Sequence, residues 1–375
     1  MKKVTTTFVC CVCALLGLGI VMLYSSSTTE VGTKYLTQQL VACLIGLALC
    51  VVIALNDYRN LKKYSFGFLV FSVFCLILVF VPGIGIRAGG AHRWLGHGVM
   101  RFQPSEIAKF ALIIFLAHYC EHYQRQMSTF RRGLVIPVAI MAVVVGGIFV
   151  EPDRGYAILL TAVCGCMLVI AGVKLWYVIP PGICAVALLG YSLLHDPMRA
   201  KRILAWLHPE ENRSGVGFQA YQAMIALGSG GWTGLGLGNG RQKLGFVPEH
   251  HTDFIFSIIG EELGLVTTVA VLVTFIILIL CAVIISCRAR DTFGMLIGAG
   301  VTFLIGFQAF VNMGVVTSTL PNKGMPLPFI SYGCSNLIMM LVGVGLLLSI
   351  SRFAVEPKTV EGTPVGMDSP ELADV

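Results

Sequence analysis

From Phe254 to Ser286 the chain is apolar almost without interruption, too long for a buried helix of a water-soluble domain and long enough to cross a bilayer. Two consecutive acids, Glu261 and Glu262, lie inside this run, and Asp253 stands immediately before it, at the end of Pro248-Glu249-His250-His251-Thr252. An ionised carboxylate in hydrocarbon costs roughly 2.5 kcal/mol or more, so chains keep one only where it is paired, hydrated or used. Three acids at one mouth of one helix mark a polar cavity that opens to one side of a membrane.

The rest of the chain has the same solvent. It is 56% hydrophobic and 12% charged, with a mean hydropathy of +0.84. Ten apolar runs are candidate spans: 6–24, 39–55, 65–82, 107–120, 134–150, 156–173, 176–194, 254–286, 293–316 and 337–351. The fourth is short and is interrupted by Lys109 and His118. The first is longer than a signal-peptide core and no A-x-A site follows it, so it reads as an uncleaved helix. The expected fold is an all-α polytopic membrane protein with about ten transmembrane helices.

A net charge of +7 raises the question of nucleic acid, but the distribution of charge argues for a membrane topology. Loops on the N-terminal side hold thirteen Lys and Arg in about 60 residues, against twelve in about 120 on the other face. The reading is therefore N-in and C-in, with no nucleic-acid partner and with Asp253 on the outer face. Residues 1–352 form a single transmembrane domain, 195–252 a large extracytoplasmic loop between helices 7 and 8, and 353–375 a short cytoplasmic tail of disordered composition. Most of the thirteen cysteines fall in apolar runs, where they act as small hydrophobes. No convincing internal repeat supports a transporter.

Three outward loops, 83–106, 195–252 and 317–336, are rich in Gly, Pro, aromatic and charged residues and are expected to fold back over the outer mouth. Within the long loop, Met198 to Trp206 has the pattern of an interfacial helix, and Phe218 to Leu227 that of a second short one. The glycine series from Gly228 to Gly240 suits a hinge or a phosphate cradle; no strand precedes it, so the dinucleotide fingerprint is not met. Glu106 either favours a helix dipole or belongs to a site, and Lys109 either snorkels or meets an anion. Asp153 either closes a turn with Arg154 or faces the cavity. On a regular helix Glu261 lies about 80° around from Asp253 and Glu262 about 180°. Glu261 is then expected to share the cavity of Asp253, and Glu262 to pair with a polar group on another helix.

The motifs become specific together. Gln103-Pro104-Ser105-Glu106, Pro152-Asp153-Arg154-Gly155, Ala226-Leu227-Gly228-Ser229-Gly230-Gly231, Arg241-Gln242-Lys243, Pro248 to Phe256, Gly260-Glu261-Glu262-Leu263-Gly264 and Pro326 to Gly333 occur in that order. Over roughly 8–352 the chain resembles the SEDS family (shape, elongation, division and sporulation), with wording nearer the FtsW and SpoVE branch than RodA. Lys323, Cys334, Asn336 and Tyr156 depart from the family's usual residues.

The resemblance implies a peptidoglycan glycosyltransferase that polymerises lipid II outside the bacterial cytoplasmic (inner) membrane, at the division septum. It also implies a class B penicillin-binding protein and other division proteins as partners, besides the surrounding membrane lipids. The residue matching the family's catalytic carboxylate is Asp253. The substrate-facing set is Arg93, Arg101, Gln103, Glu106, Lys109, Asp153, Lys243, Glu249, His251, Thr252, Glu261 and Ser331. A divalent cation, Mg²⁺ or Mn²⁺ anchored by Asp253, is compatible with oxygen ligands, and no organic cofactor is expected. A lipid II flippase and a non-catalytic division scaffold are the rival functions. Acids gathered at the outer mouth favour chemistry there, whereas a translocation path wants polar groups on both sides of the midplane.

Overall fold

The computed structural model describes the chain except for residues 28–33, 89–90, 98–99, 195–196, 209–210, 212–214, 216, 244–250 and 355–375. Glu249, His250 and nearly all of the tail 353–375 therefore lie outside the described residues. Each apolar run coincides with a helix: α1 (Lys2–Ser27), α2 (Lys34–Leu55), α3 (Leu61–Leu78), α4 (Pro104–His122), α5 (Ile136–Val150), α6 (Arg154–Ile170) and α7 (Leu175–Leu194). After α8 (Pro197–Leu207) and α9 (Phe218–Ser229), both in the long loop, come α10 (Ile255–Cys287), α11 (Thr292–Val316) and α12 (Cys334–Arg352).

Seven helical segments, α1, α2, Tyr58–Leu78, Phe130–Val150, α10, α11 and α12, are long and apolar enough to cross a membrane. They differ in burial as their neighbours dictate. In their most apolar windows α12 is 78% buried and α11 67%, whereas α2 and α3 are 28% buried and present Leu44, Val51, Phe66 and Phe71 outward. The centre of the bundle is α4, α11 and α12, with Phe110, Leu112, Leu304, Met340 and Leu347 fully enclosed. α4 can be the least apolar of the long helices in composition because it is as enclosed as α12: Glu106 and Lys109 face protein. At the end of the bundle remote from Asp253, Lys62 bridges Glu121 at 2.8 Å and Asp291 at 3.1 Å, tying α3 to α4 and to the start of α11.

Two expectations are corrected. The fold is not purely α-helical. Gly85–Ala88, Ala91–His97 and Met100–Phe102 form β1, β2 and β3 of a small antiparallel sheet, with Gly85 opposite Leu95 and Leu95 opposite Phe102. This segment has no run of apolar residues at helical spacing, so strand pairing is what satisfies its backbone beside the bundle.

Nor is 254–286 one regular helix. At Gly264 the backbone turns to φ 79°, ψ −177°. In an unbroken helix Leu265 and Val266 would donate to the carbonyls of Glu261 and Glu262. Here Leu265 donates to Gly231 O at 2.9 Å and Val266 to Trp232 O at 3.3 Å. The two freed carbonyls accept from Leu235 at 2.9 Å and Gly236 at 3.0 Å. The loop after α9 has entered the helix and supplies partners for these four groups.

Gly264 tolerates no side chain, since a Cβ would overlap Gly234 N and the Trp232 carbonyl and would require a left-handed residue. Gly264→Ala should therefore lower stability by about 2 kcal/mol or more. Gly146→Ala, in open space on α5, should leave it unchanged or raised. Thermal unfolding of both variants in one detergent checks this, and equal melting temperatures would contradict it.

Candidate active site around Asp253

Asp253 precedes Phe254, the N-cap of α10, and so lies on irregular backbone and not on the helix. Its position is set from α11. The buried Asn312 amide donates to Asp253 O at 2.8 Å and to Met325 O at 2.6 Å, joining the 251–253 segment to the loop 321–330. Gly324 abuts the Asp253 carboxylate so closely that a Cβ there would overlap Oδ2. Four residues earlier on α11, Gln308 Nε2 donates to Pro326 O at 2.8 Å and to Asn336 Oδ1 at 3.1 Å. From α2, Gln39 donates to Ser331 O at 3.1 Å and accepts from Gly333 N at 3.2 Å. These three amides went unnoticed in the sequence; their signal was a carboxamide standing alone within, or at the edge of, an apolar run.

His251 stacks on Tyr35 with centroids 4.7 Å apart, and its carbonyl accepts from Tyr332 N at 3.0 Å. Thr252 lies between His251 and Asp253, half-buried like both. Ser331 is buried, and its hydroxyl accepts from Leu327 N at 2.7 Å, so it shapes the loop from within.

Across the mouth, Asp153 caps α6. Arg93 on β2 clamps this turn, donating to Glu151 O at 3.0 Å and Pro152 O at 2.7 Å, with Asp153 Oδ2 at 3.9 Å. Lys323 Nζ approaches Asp153 Oδ1 at 4.0 Å from the other side. Tyr156, in the first turn of α6, is buried, with Glu106, Asp153 and Asp253 within electrostatic reach. Lys109 does not snorkel. It is fully buried, 2.8 Å from Glu106 Oε2, with its ammonium 3.9 Å above the Tyr156 ring. Arg101, on β3, is exposed; its neighbour Gln103 is the N-cap of α4 and donates its backbone N–H to Ser335 Oγ at 3.2 Å.

Glu261 does not share the cavity of Asp253, because the facing argument assumed a regular helix from Asp253 onward. Its carboxylate accepts from Arg241 N at 2.7 Å and Gln242 N at 3.2 Å. Glu262 accepts from Gly238 N at 3.0 Å and Ser25 Oγ at 2.6 Å, and pairs with Lys243 Nζ at 2.7 Å. The glycine series does cradle anions through backbone amides, but the anions are the chain's own. Lys243, expected to face substrate, is 3% exposed and serves this cluster, with Ser25 O a further acceptor at 3.1 Å. The expectation that Glu262 pairs with another helix fits Ser25 on α1.

Removing one member of a buried ion pair leaves the other charge stranded, at a cost of about 3–5 kcal/mol. Glu262→Leu and Lys243→Met should each depress the melting temperature strongly. The double variant should recover much of the loss, and additive losses would mean that the pair is not coupled.

Glu151 lies outside the α5 helix, fully buried, and neither carboxyl oxygen has a hydrogen-bond partner among the described residues. Burial, reinforced by Asp153 and opposed by Arg93, pushes its pKa up to about 8. The folded protein then holds a proton that the unfolded chain releases near pH 4.5, so this carboxyl contributes most to stability below that pH. The contribution is lost as pH rises toward 8 and stays lost above it. Glu151→Gln should flatten the fall in melting temperature between pH 5 and 8, and an unchanged slope would refute the assignment.

The mouth thus holds a half-buried carboxylate fixed from α11, two further acids within electrostatic reach of a buried tyrosine, and basic side chains at two depths. It can take a proton from a hydroxyl and accommodate negative charge beside it. The family of cell cycle proteins comprising FtsW, RodA and SpoVE matches residues 6–356. A Geobacter metallireducens protein named probable peptidoglycan glycosyltransferase FtsW is 39% identical over 94% of each chain. Stage V sporulation protein E of Bacillus subtilis is 36% identical, over 91% of this chain and 94% of that protein. A solved structure described as the structural coordination of polymerization and crosslinking by a peptidoglycan synthase complex superposes with a TM-score of 0.79. It is 29% identical and covers 92% of this chain and 96% of that one.

Proposed function

Because this chain belongs to the FtsW, RodA and SpoVE family, we propose that it is a peptidoglycan glycosyltransferase that polymerises lipid II, with Asp253 as its general base. The observation that carries the assignment is the position of Asp253. It is a half-buried carboxylate on irregular backbone at the bundle's mouth, held through its carbonyl by Asn312 and pressed on its acid group by Gly324.

The chemistry asks little more of the protein. The 4-hydroxyl of one sugar attacks C1 of another, which is α-linked to a lipid diphosphate. Asp253 takes the hydroxyl proton as the new C1–O bond forms, and the C1–O bond to phosphate breaks with its electron pair on the diphosphate. One displacement inverts C1 to the β configuration, so a single carboxylate suffices and no glycosyl-enzyme is required. Positive charge near the leaving oxygen stabilises what develops there.

Among the described residues no three or more His, Cys, Asp or Glu side chains converge to hold a metal ion. The residues fit a Mg²⁺ or Mn²⁺ only as an ion shared with substrate: Asp253 would hold it and phosphate oxygens would complete its shell. Such an ion supplies charge neutralisation at the diphosphate.

In this proposal the chain crosses ten times with both termini inside, the 195–252 loop lies outside between the seventh and eighth crossings, and this mouth opens on the extracytoplasmic face. The charge asymmetry of the loops and the helical form of all ten apolar runs support that topology. We also propose septal location and a class B penicillin-binding protein as partner; the FtsW names of the relatives and the synthase-complex neighbour support this reading.

Asp253→Asn keeps volume and removes the base. Glycan synthesis from labelled lipid II by the purified variant should fall about 10²–10⁴-fold while its melting temperature stays within a few degrees of wild type. Normal polymerisation by the folded variant would overturn the role given to Asp253.

A further inference from the structure

A lipid diphosphate needs a cation that it can reach, and Lys109 is fully enclosed with Glu106 already against it. Lys323 is different. Its side chain is 33% exposed, and its one ionic partner among the described residues is Asp153, at 4.0 Å and beyond hydrogen-bond distance. Its next neighbour, Gly324, is the residue that touches the Asp253 carboxylate. Gly155 admits the lysine stem against the start of α6, where a side chain would overlap it. The ammonium thus stands by a helix N-terminus whose cap, Asp153, makes no side-chain capping bond.

Three guanidiniums, those of Arg93, Arg202 and Arg154, lie within electrostatic reach of Lys323. Arg202 is carried by α8, which is pinned over this loop by Trp206 Nε1 donating to Ser318 O at 2.8 Å. Arg93 from β2 and Lys323 from the 317–330 loop thus flank one buried acid, Asp153, and Arg202 of α8 lines a small cavity with Ser318, Leu320 and Asn322, next in the chain to Lys323. Burial, together with these like charges, holds the Lys323 ammonium below its ordinary pKa. Such a gathering is unfavourable alone and becomes favourable when an anion of more than one charge enters, the more so at a helix N-terminus.

We propose that Lys323, with Arg93 and Arg202, forms a diphosphate-binding site at the mouth, immediately beside the Asp253 carboxylate. The inference rests on the glycosyltransferase reading for the identity of its natural ligand, the diphosphate of a lipid-linked sugar. The site itself is a statement about anion binding. Arg93 holds the 151–153 turn in place, Lys323 supplies the hydrogen bonds, and Arg202 closes the rim. A diphosphate held there has its leaving oxygen next to the base.

Equilibrium binding to the full-length protein in detergent tests this without turnover. The probes are farnesyl diphosphate, inorganic pyrophosphate and farnesol. Wild-type protein should bind farnesyl diphosphate and should not bind farnesol. Lys323→Gln should weaken farnesyl diphosphate binding about tenfold or more and Arg202→Gln several-fold, while Lys323→Arg keeps most of the affinity because it preserves the charge. Pyrophosphate binding as tightly as farnesyl diphosphate would assign the affinity to the diphosphate alone. Tighter farnesyl diphosphate binding would add a contribution from the lipid, and both results support the site. Equal binding of farnesol, no binding of either diphosphate at millimolar concentration, or an unchanged dissociation constant in folded Lys323→Gln would overturn it. Binding is read without turnover, so a folded Asp253→Asn protein that polymerises normally would overturn the catalytic assignment and leave this site standing, whereas an unchanged dissociation constant in Lys323→Gln would do the reverse.

Discussion

Two backbone carbonyls in the first third of the longest span, those of Glu261 and Glu262, take their hydrogen bonds from a loop instead of from their own helix. The loop 231–243 is arranged around that exchange. A break in a membrane helix exposes backbone groups worth several kcal/mol each if left unpaired, so it persists only where a neighbour supplies replacements. The segment 231–236 supplies four, two in each direction. The side chains of the same two acids then reach further along the loop, to the amides of Gly238, Arg241 and Gln242 and to Lys243. Backbone and side chains of Glu261 and Glu262 thus fasten one loop to one helix, and Ser25 fastens both to α1.

This anchorage frees the start of α10 for another task. Residues before Gly264 form a short helical piece aligned by the loop and by α11, not by the long span that follows. Asp253 sits at the N-terminal end of that piece, where Asn312 governs the backbone on both sides of the cleft. Two kinds of buried polar group therefore divide the labour. Carboxylates held by amides, with a lysine as counter-ion, set the scaffold, and carboxamides on α2 and α11 set the loops that carry the candidate chemistry. Both are strongly bound because the low-dielectric surroundings offer no competing water.

Which parts were legible in the sequence follows from the range of the interactions. Each span could be read because burial in lipid is a property of the run itself, and the amphipathic pattern of 198–206 is equally local. Asp253 was legible because an acid at the edge of hydrocarbon is costly wherever its partners lie. The small sheet was not legible: strands of four, seven and three residues beside glycines carry no periodicity that competes with loop. The role of Glu261 was misread because two facts lay apart in the chain, a glycine at 264 and a glycine series thirty residues earlier. Lys323 was unreadable as a site residue, since its meeting with Asp153 and Arg93 depends on how distant segments pack.

The order of the clamp along the chain has a consequence for how the protein is made. Gly238, Arg241 and Lys243 lie 24, 20 and 19 residues before the acids they hold, and Ser25 lies 237 residues before Glu262. The glycine loop that repairs the break also precedes it. When Glu261 and Glu262 leave the ribosome, every group that will hold them has already been synthesised, most of it within the previous two dozen residues. The two most expensive side chains in the longest span thus never wait in lipid for a partner still to come, and a charged, broken helix can be handed to the membrane as a finished unit.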